Sequence, residues 1–255
     1  MHIVKQGYQL DVREDGSFDV YNATGELCFI RSVGVPYLPV TNRAVIWGAP
    51  KVHTKKDGTT DIVTFALPSN NLYENPEVVL ECRDDFIRFA FRGKALRRMT
   101  LDKWYLLPAG SEINALECLD FRSHIDSPSA YQVHQTVLGR RKLGTVGLDA
   151  NTEDSDLMFG PHPMLFVFQH LEDSLVIAPM GLVAAESLQI RMIKGSTIIN
   201  SYHLEVGPNV YWIEKGEMVE STPFMIVQGQ DLDPYEMLAR YTGLLVREGL
   251  VQPKS

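Results

Sequence analysis

The sequence predicts an all-β protein: a large antiparallel β-sandwich closed by a short C-terminal helix. Three observations lead there. Apolar residues recur with a period of two along most of the chain. The runs that carry this alternation are short and are separated by Gly, Asp and Asn turn signals. No strand run alternates with a helical run, which excludes a parallel βαβ core within these residues. The 255 residues, 45% hydrophobic and 22% charged, are enough to bury a large core. All-β sandwiches of this size commonly form one domain.

The elements follow in order. Ser17–Asn22 alternates, turns at Ala23-Thr24-Gly25 and resumes as Glu26–Ile30, a hairpin in which glycine supplies the positive φ. Asp57-Gly58 separates Lys51–Thr54 from Asp61–Leu67, and Arg83-Asp84-Asp85 separates Val78–Cys82 from Phe86–Phe91, giving two more antiparallel pairs. Strands are then predicted at Lys103–Leu107, Ala115–Phe121, Met164–Phe168, Ser174–Pro179, Leu188–Ile193, Ser196–Val206 and Val210–Ile213. The spacing implies two large packed sheets. Leu143–Pro163, rich in Gly, Asp and Asn, shows no strand pattern and reads as one long acidic loop. At the C-terminal end, Asp233-Pro234-Tyr235-Glu236 is a helix start with a carboxylate cap. Leu238, Tyr241 and Leu245 share one face of that helix, and Gly249 ends it.

Charge and cysteines narrow the function. A net charge of −8 and a pI near 5.4 argue against nucleic acid and anionic membrane as partners. Arg92, Lys94, Arg97 and Arg98 form a short basic cluster in loop-like text, read as a solvated face. Cys28, Cys82 and Cys118 are odd in number and lie in strand text, as buried thiols of a reducing compartment would. With no apolar signal core at the N-terminus and no spanning apolar run, a cytoplasmic location is expected. Asn22-Ala23-Thr24 fits a glycosylation acceptor but coincides with the predicted turn.

Chemistry-bearing motifs are few. Gly139, Gly144 and Gly147 lack the spacing of a phosphate loop, no paired-cysteine or His-Glu-x-x-His signature occurs, and neither a cofactor nor a metal is expected. The acidic loop with Asp149, Asn151, Glu153, Asp154 and Asp156 offers hard oxygens yet lacks the glycine and final glutamate of a calcium loop, so a solvated loop is the plainer reading. The histidines His124, His134, His162, His170 and His203 are scattered, and no Ser-His-Asp set follows from spacing. Three residues are candidates for binding a sugar. Trp47, before Gly48-Ala49-Pro50, offers a flat apolar face, and Asp154 offers a carboxylate to hydroxyls. His162, held between Pro161 and Pro163, either sits at a pocket rim or simply forms a rigid turn into the next strand. Trp104 and Trp212 lie in strand text and read as core.

Three passages carry a family resemblance. Phe159-Gly160-Pro161-His162-Pro163-Met164-Leu165-Phe166 resembles a proline-punctuated lead-in to a late strand, Ser221-Thr222-Pro223-Phe224-Met225-Ile226-Val227 a closing strand, and Asp233–Tyr241 a linker helix, all in the N-terminal domain of α-galactosidase-type glycoside hydrolases, family 36 and its relatives. That resemblance implies a β-supersandwich of galactose-mutarotase-like shape over residues 1–230, with a linker helix and tail over 231–255. It also implies that the two catalytic carboxylates lie elsewhere, on a (β/α)8 barrel of about 250 further residues. No residue of this chain is assigned as catalytic.

Three functions are therefore in view. The first is a non-catalytic N-terminal sandwich domain of a carbohydrate-active hydrolase, whose partners are carbohydrate and the catalytic barrel. It carries the expectation of an exposed apolar patch, tail helix included, where the barrel docks. The second is a stand-alone mutarotase-like sugar epimerase, in which His134 or His203 with Glu186 or Glu205 supplies acid and base. The third is a binding or assembly module, for which a homo-oligomer formed through sheet edges is the expected signature.

Overall fold

The computed structural model describes residues 1–108, 110–115, 117–122, 141–142, 154–157, 163–180, 186–193, 196–203 and 212–252. The chain opens with β1 (His2–Val4), β2 (Gln9–Val12), β3 (Phe18–Tyr21), β4 (Cys28–Ser32) and β5 (Leu38–Thr41). Longer strands follow: β6 (Lys51–Asp57), β7 (Thr60–Ala66), β8 (Tyr73–Cys82), β9 (Phe86–Ala95) and β10 (Met99–Leu107). Then come β11 (Glu112–Ile113), β12 (Glu117–Arg122), β13 (Arg141–Lys142), β14 (Asp154–Leu157), β15 (Pro163–His170), β16 (Asp173–Pro179), β17 (Glu186–Ile193) and β18 (Ser196–His203). β19 (Trp212–Ile213), β20 (Met218–Glu220), β21 (Phe224–Gln230) and α1 (Pro234–Arg247) complete the described part.

These strands form three antiparallel sheets. A five-stranded sheet runs β1-β2-β3-β4-β11, and a six-stranded sheet runs β14-β17-β18-β10-β19 with β5 also on β10. The largest, ten-stranded, runs β13-β12-β15-β16-β21-β9-β8-β7-β6 with β20 also on β9. The predicted hairpins are all present: β3 with β4, β6 with β7, and β8 with β9. In the first, Gly25 has φ +79°, and a Cβ there would meet the Gln9 amide at 2.8 Å. Only glycine fits both demands.

Apolar residues from all three sheets meet in one core. Tyr37 is its hub, with its ring 5.2 Å from Trp104, 5.4 Å from Phe89 and 5.3 Å from Phe224, and its hydroxyl donating to the Thr222 carbonyl. A second cluster lies on the other face of the ten-stranded sheet, where Met237, Tyr241, Leu244 and Leu245 of α1 cover Phe86, Val176, Met225 and Val227. Asp233 caps α1 with a full capping box: its carboxylate accepts from Tyr235 N and Glu236 N, while Glu236 accepts from Asp233 N. Gly249 takes φ +72° just past the end.

Several expectations change. Leu143–Pro163 contains a strand, β14, which pairs with β17, so Asp154 opens a strand rather than sitting in a loop. Arg92 and Lys94 also stand on a strand, β9, and pair with Glu77 and Glu74 across to β8. Their side chains are solvated as expected. The inward face of α1 centres on Met237, Tyr241, Leu244 and Leu245, with Leu238 only half-buried at its margin. Cys82 is buried, and burial pushes its thiol up to about 12, whereas Cys28 is only half-buried. The Cys118 side chain lies outside the described residues. Asn22 is 4% exposed, and its amide donates to Asp173 at 3.1 Å, so the sequon nitrogen is committed inside the fold. Among the described residues no helix is long and apolar enough to cross a membrane.

Candidate functional site

Of the three predicted sugar-binding residues, Trp47 and the backbone of Asp154 are described, and they belong to different parts of the fold. Trp47 is half-buried, stacked on Tyr73 at 5.7 Å and 21° and set edge-on to Phe91 at 6.1 Å. Its ring serves as a lid on the core at the ten-stranded sheet. The backbone of Asp154 pairs with Ile193 at the edge of a different, six-stranded sheet. His162 lies outside the described residues, next to Pro163, where β15 begins.

The other two tryptophans part ways. Trp104 is 2% exposed and belongs to the core, as predicted. Trp212, expected there too, is 47% exposed. Its strand, β19, has only two residues, so alternation within it carries no more weight than the polar turn Glu214-Lys215-Gly216-Glu217 that follows. That turn was the signal available in the sequence.

Strand register places other polar residues. In the β17–β18 hairpin the register sets Glu186 opposite His203, Ser187 opposite Tyr202 and Gln189 opposite Asn200. β10 continues the same rows with Lys103 opposite Tyr202 and Tyr105 opposite Asn200. These residues thus stand at neighbouring register positions on three adjacent strands of the six-stranded sheet. A carboxylate and a histidine at one register position are the residue types that general acid–base chemistry needs.

Several other buried or half-buried polar groups read as fastenings. Asp173 accepts from Asn22 at 3.1 Å and from Gln228 at 3.0 Å, tying the five-stranded sheet to the ten-stranded one. The Tyr8 hydroxyl donates to the Arg83 carbonyl at 2.9 Å, and that of Tyr241 to the Pro179 carbonyl at 2.7 Å. Burial raises both phenols well above their ordinary range, which keeps them neutral donors. An apolar void between the sheets is lined by Phe18, Leu80, Ile87, Phe89, Ile177 and Ile226 and offers a polar ligand nothing. Among the described residues no group of three or more His, Cys, Asp or Glu side chains is placed to hold a metal.

No protein-family model matches this chain, and no curated protein matches its sequence. Solved structures match its shape. An α-N-acetylgalactosaminidase from Bifidobacterium bifidum, in complex with GalNAc, superposes with a TM-score of 0.56 over 98% of this chain at 10% identity, and the match covers 39% of that protein. A family 36 α-galactosidase from Geobacillus stearothermophilus gives 0.51 over 90% of this chain at 9% identity, covering 40% of its own length. A galactose-mutarotase-related enzyme from Lactobacillus acidophilus gives 0.51 over 91% of this chain at 11% identity, and is itself covered to 98%. The chain therefore spans about two fifths of the hydrolases and nearly all of the mutarotase relative. Likenesses at one-tenth identity speak for architecture, and the architecture is that of a galactose-mutarotase-like β-sandwich.

Proposed function

We propose that this chain is the non-catalytic sandwich domain of a carbohydrate-active glycoside hydrolase, supporting a catalytic (β/α)8 barrel. The observation that carries this reading is the extent of the match to the B. bifidum enzyme. A span of 98% leaves only about five of the 255 residues outside, so most of the 14-residue helix α1 falls within it. On this reading residues 1–230 are the sandwich and 231–255 the linker helix and tail. Trp47, Asp154 and His162 remain the residues proposed to meet substrate. The natural partners are carbohydrate and the barrel, and the setting is the cytoplasm.

The edge strand β6 argues against the assembly reading. It presents Lys51, Lys55 and Lys56 along an exposed sheet edge, a charge pattern that discourages strand-to-strand pairing between copies.

One observation favours a second reading, the stand-alone sugar epimerase: the register pair Glu186 and His203. The two are separated by incubating the purified chain with galactosides, glucosides and free hexoses, following hydrolysis by product release and anomer interconversion by NMR exchange. The domain reading expects neither reaction. Catalysed anomerisation that disappears in His203→Ala and in Glu186→Gln would overturn it and establish the epimerase.

A further inference from the structure

We propose that the outer face of the sheet around Trp212 is a binding site for a neutral pyranose. The register fixes which side this is. β19 pairs with β10 as Met99 opposite Ile213 and Thr100 opposite Trp212. Met99 and Ile213 are fully buried, so alternation turns Thr100 and Trp212 to the other face. One step along, Arg98 and Glu214 form an ion pair at 3.0 Å. The Arg98 guanidinium lies 4.3 Å from the centroid of the Trp212 indole. On the far side of Thr100, the Asp102 carboxylate accepts its hydroxyl at 3.4 Å and the Asn42 amide oxygen accepts its backbone N–H at 3.3 Å. Arg98, Asp102, Trp212, Glu214 and Asn42 are all exposed, around a Thr100 that is not.

The indole lies outside the core cluster. The core closes over Ile213 without the indole, and an exposed tryptophan forgoes the burial that usually justifies one. Yet its orientation is fixed, by a paired strand beneath it and by a guanidinium that Glu214 holds in place. With the guanidinium over one face, the indole is still 47% exposed, and that remaining apolar surface, next to the Glu214 carboxylate and the polar groups around Thr100, suits a ligand with a C–H face and a rim of vicinal hydroxyls. Because Arg98 is already paired with Glu214, its guanidinium is not an open counter-charge for an anionic group, and a neutral sugar fits. The choice of a sugar rests on the carbohydrate reading proposed above, but the site itself requires no catalysis.

The experiment is a titration of the intact chain followed by the indole N–H signals of its three tryptophans, the Trp212 signal being assigned by its loss in Trp212→Phe. Galactose, N-acetylgalactosamine, glucose and maltose are added to about 100 mM, since a shallow open site of this kind holds its ligand with a Kd on the order of millimolar. The expected result is a saturable shift of the Trp212 signal by at least one of these sugars. Followed from the ligand side, by saturation transfer to the sugar, Trp212→Ala should weaken binding at least about tenfold and Glu214→Gln several-fold, with the thermal midpoint nearly unchanged because both side chains are exposed. No saturable shift at Trp212 overturns the proposal, as does tighter binding of galactose 6-phosphate than of galactose. Absence of turnover together with absence of binding would remove this site and leave the domain reading standing. Binding at Trp212 alongside anomerisation that depends on His203 would keep the site and remove the domain reading.

Discussion

At its centre the ten-stranded sheet is buried on both faces, whereas its β6–β8 wing is buried on one. β16 and β21 are solvent-free along nearly their whole length. Leu175, Ile177, Phe224 and Ile226 face the main core, while Val176, Ala178, Met225 and Val227 face α1. β8 instead alternates between buried and partly wet positions, and its outward Glu74, Glu77 and Glu81 pair with Lys94, Arg92 and Arg88 on β9. The ladder of backbone bonds is the same in both regions. What differs is the cover. Burying an apolar side chain of α1 contributes about 1.5–3 kcal/mol, while an exposed cross-strand ion pair contributes about 0–1 kcal/mol. Stability should therefore concentrate under the helix.

That contrast is most open to attack at Tyr241. Tyr241→Ala should cost about 3–5 kcal/mol in urea unfolding, as for other large aromatic truncations, and Tyr241→Phe about 1 kcal/mol for the bond to the Pro179 carbonyl. Glu81→Ala, on the wing, should stay within about 1 kcal/mol. Equal costs at the two places would sink the idea that the helix is integral to the sheet. A smaller effect is expected at Gly229, where a Cβ would stand 2.4 Å from the Met237 sulfur and 2.8 Å from a Leu232 methyl. Both neighbours are side-chain ends, so Gly229→Ala should cost about 1–3 kcal/mol as overpacking beneath α1, read from the shift of the urea midpoint at unchanged slope.

Much of this was legible in the sequence, for local reasons. The hairpins at Gly25 and Gly58 and the start of α1 depend on residues within a few positions of each other, and turn chemistry and capping act at that range. The Asp233 cap sharpens the point: Asp233→Ala should lower stability by about 1 kcal/mol, visible as a lower thermal midpoint and as faster hydrogen exchange confined to the first turn of α1. β14 was illegible because Asp154–Leu157 is mostly polar. Its pairing is supplied by β17, some thirty-five residues away, and not by any pattern of its own.

The candidate sites were less legible than the fold. Glu186 and His203 were both nominated, but only the hairpin register sets them opposite each other. Trp47 has a loop-like context, yet Tyr73 and Phe91 reach it from strands 26 and 44 residues on, and it packs. Trp212 has a strand-like context, yet its inward neighbour Ile213 already fills the core, and it projects. In both cases what decides the side chain's surroundings lies outside its local sequence context.

The smallest predicted effect concerns how the helix end is fastened to the wing. Arg247 donates two bonds to Asp85, at 2.5 and 3.0 Å, and Arg83 joins Glu248 to Glu81. Burial alone would raise the Asp85 carboxyl, but the bonds from Arg247 outweigh it and hold the carboxyl below its ordinary value. A carboxyl depressed in the folded state adds stability that is complete above its unfolded pKa, near 4, and is lost as pH falls through the lower folded value. Because Arg247 is half-exposed, the contribution should be under about 1 kcal/mol and should shrink in 1 M salt. Other carboxylates titrate in the same window, so the measurement must be a double-mutant cycle of Asp85→Asn with Arg247→Met at pH 6 and pH 3. A coupling present at pH 6 and absent at pH 3 assigns the clamp to charge. A cost of Arg247→Met that persists in the Asp85→Asn background would mean that Arg247 also fastens the helix through its contact with the Phe86 ring, 5.7 Å away, and that even this corner of the wing is held by apolar cover.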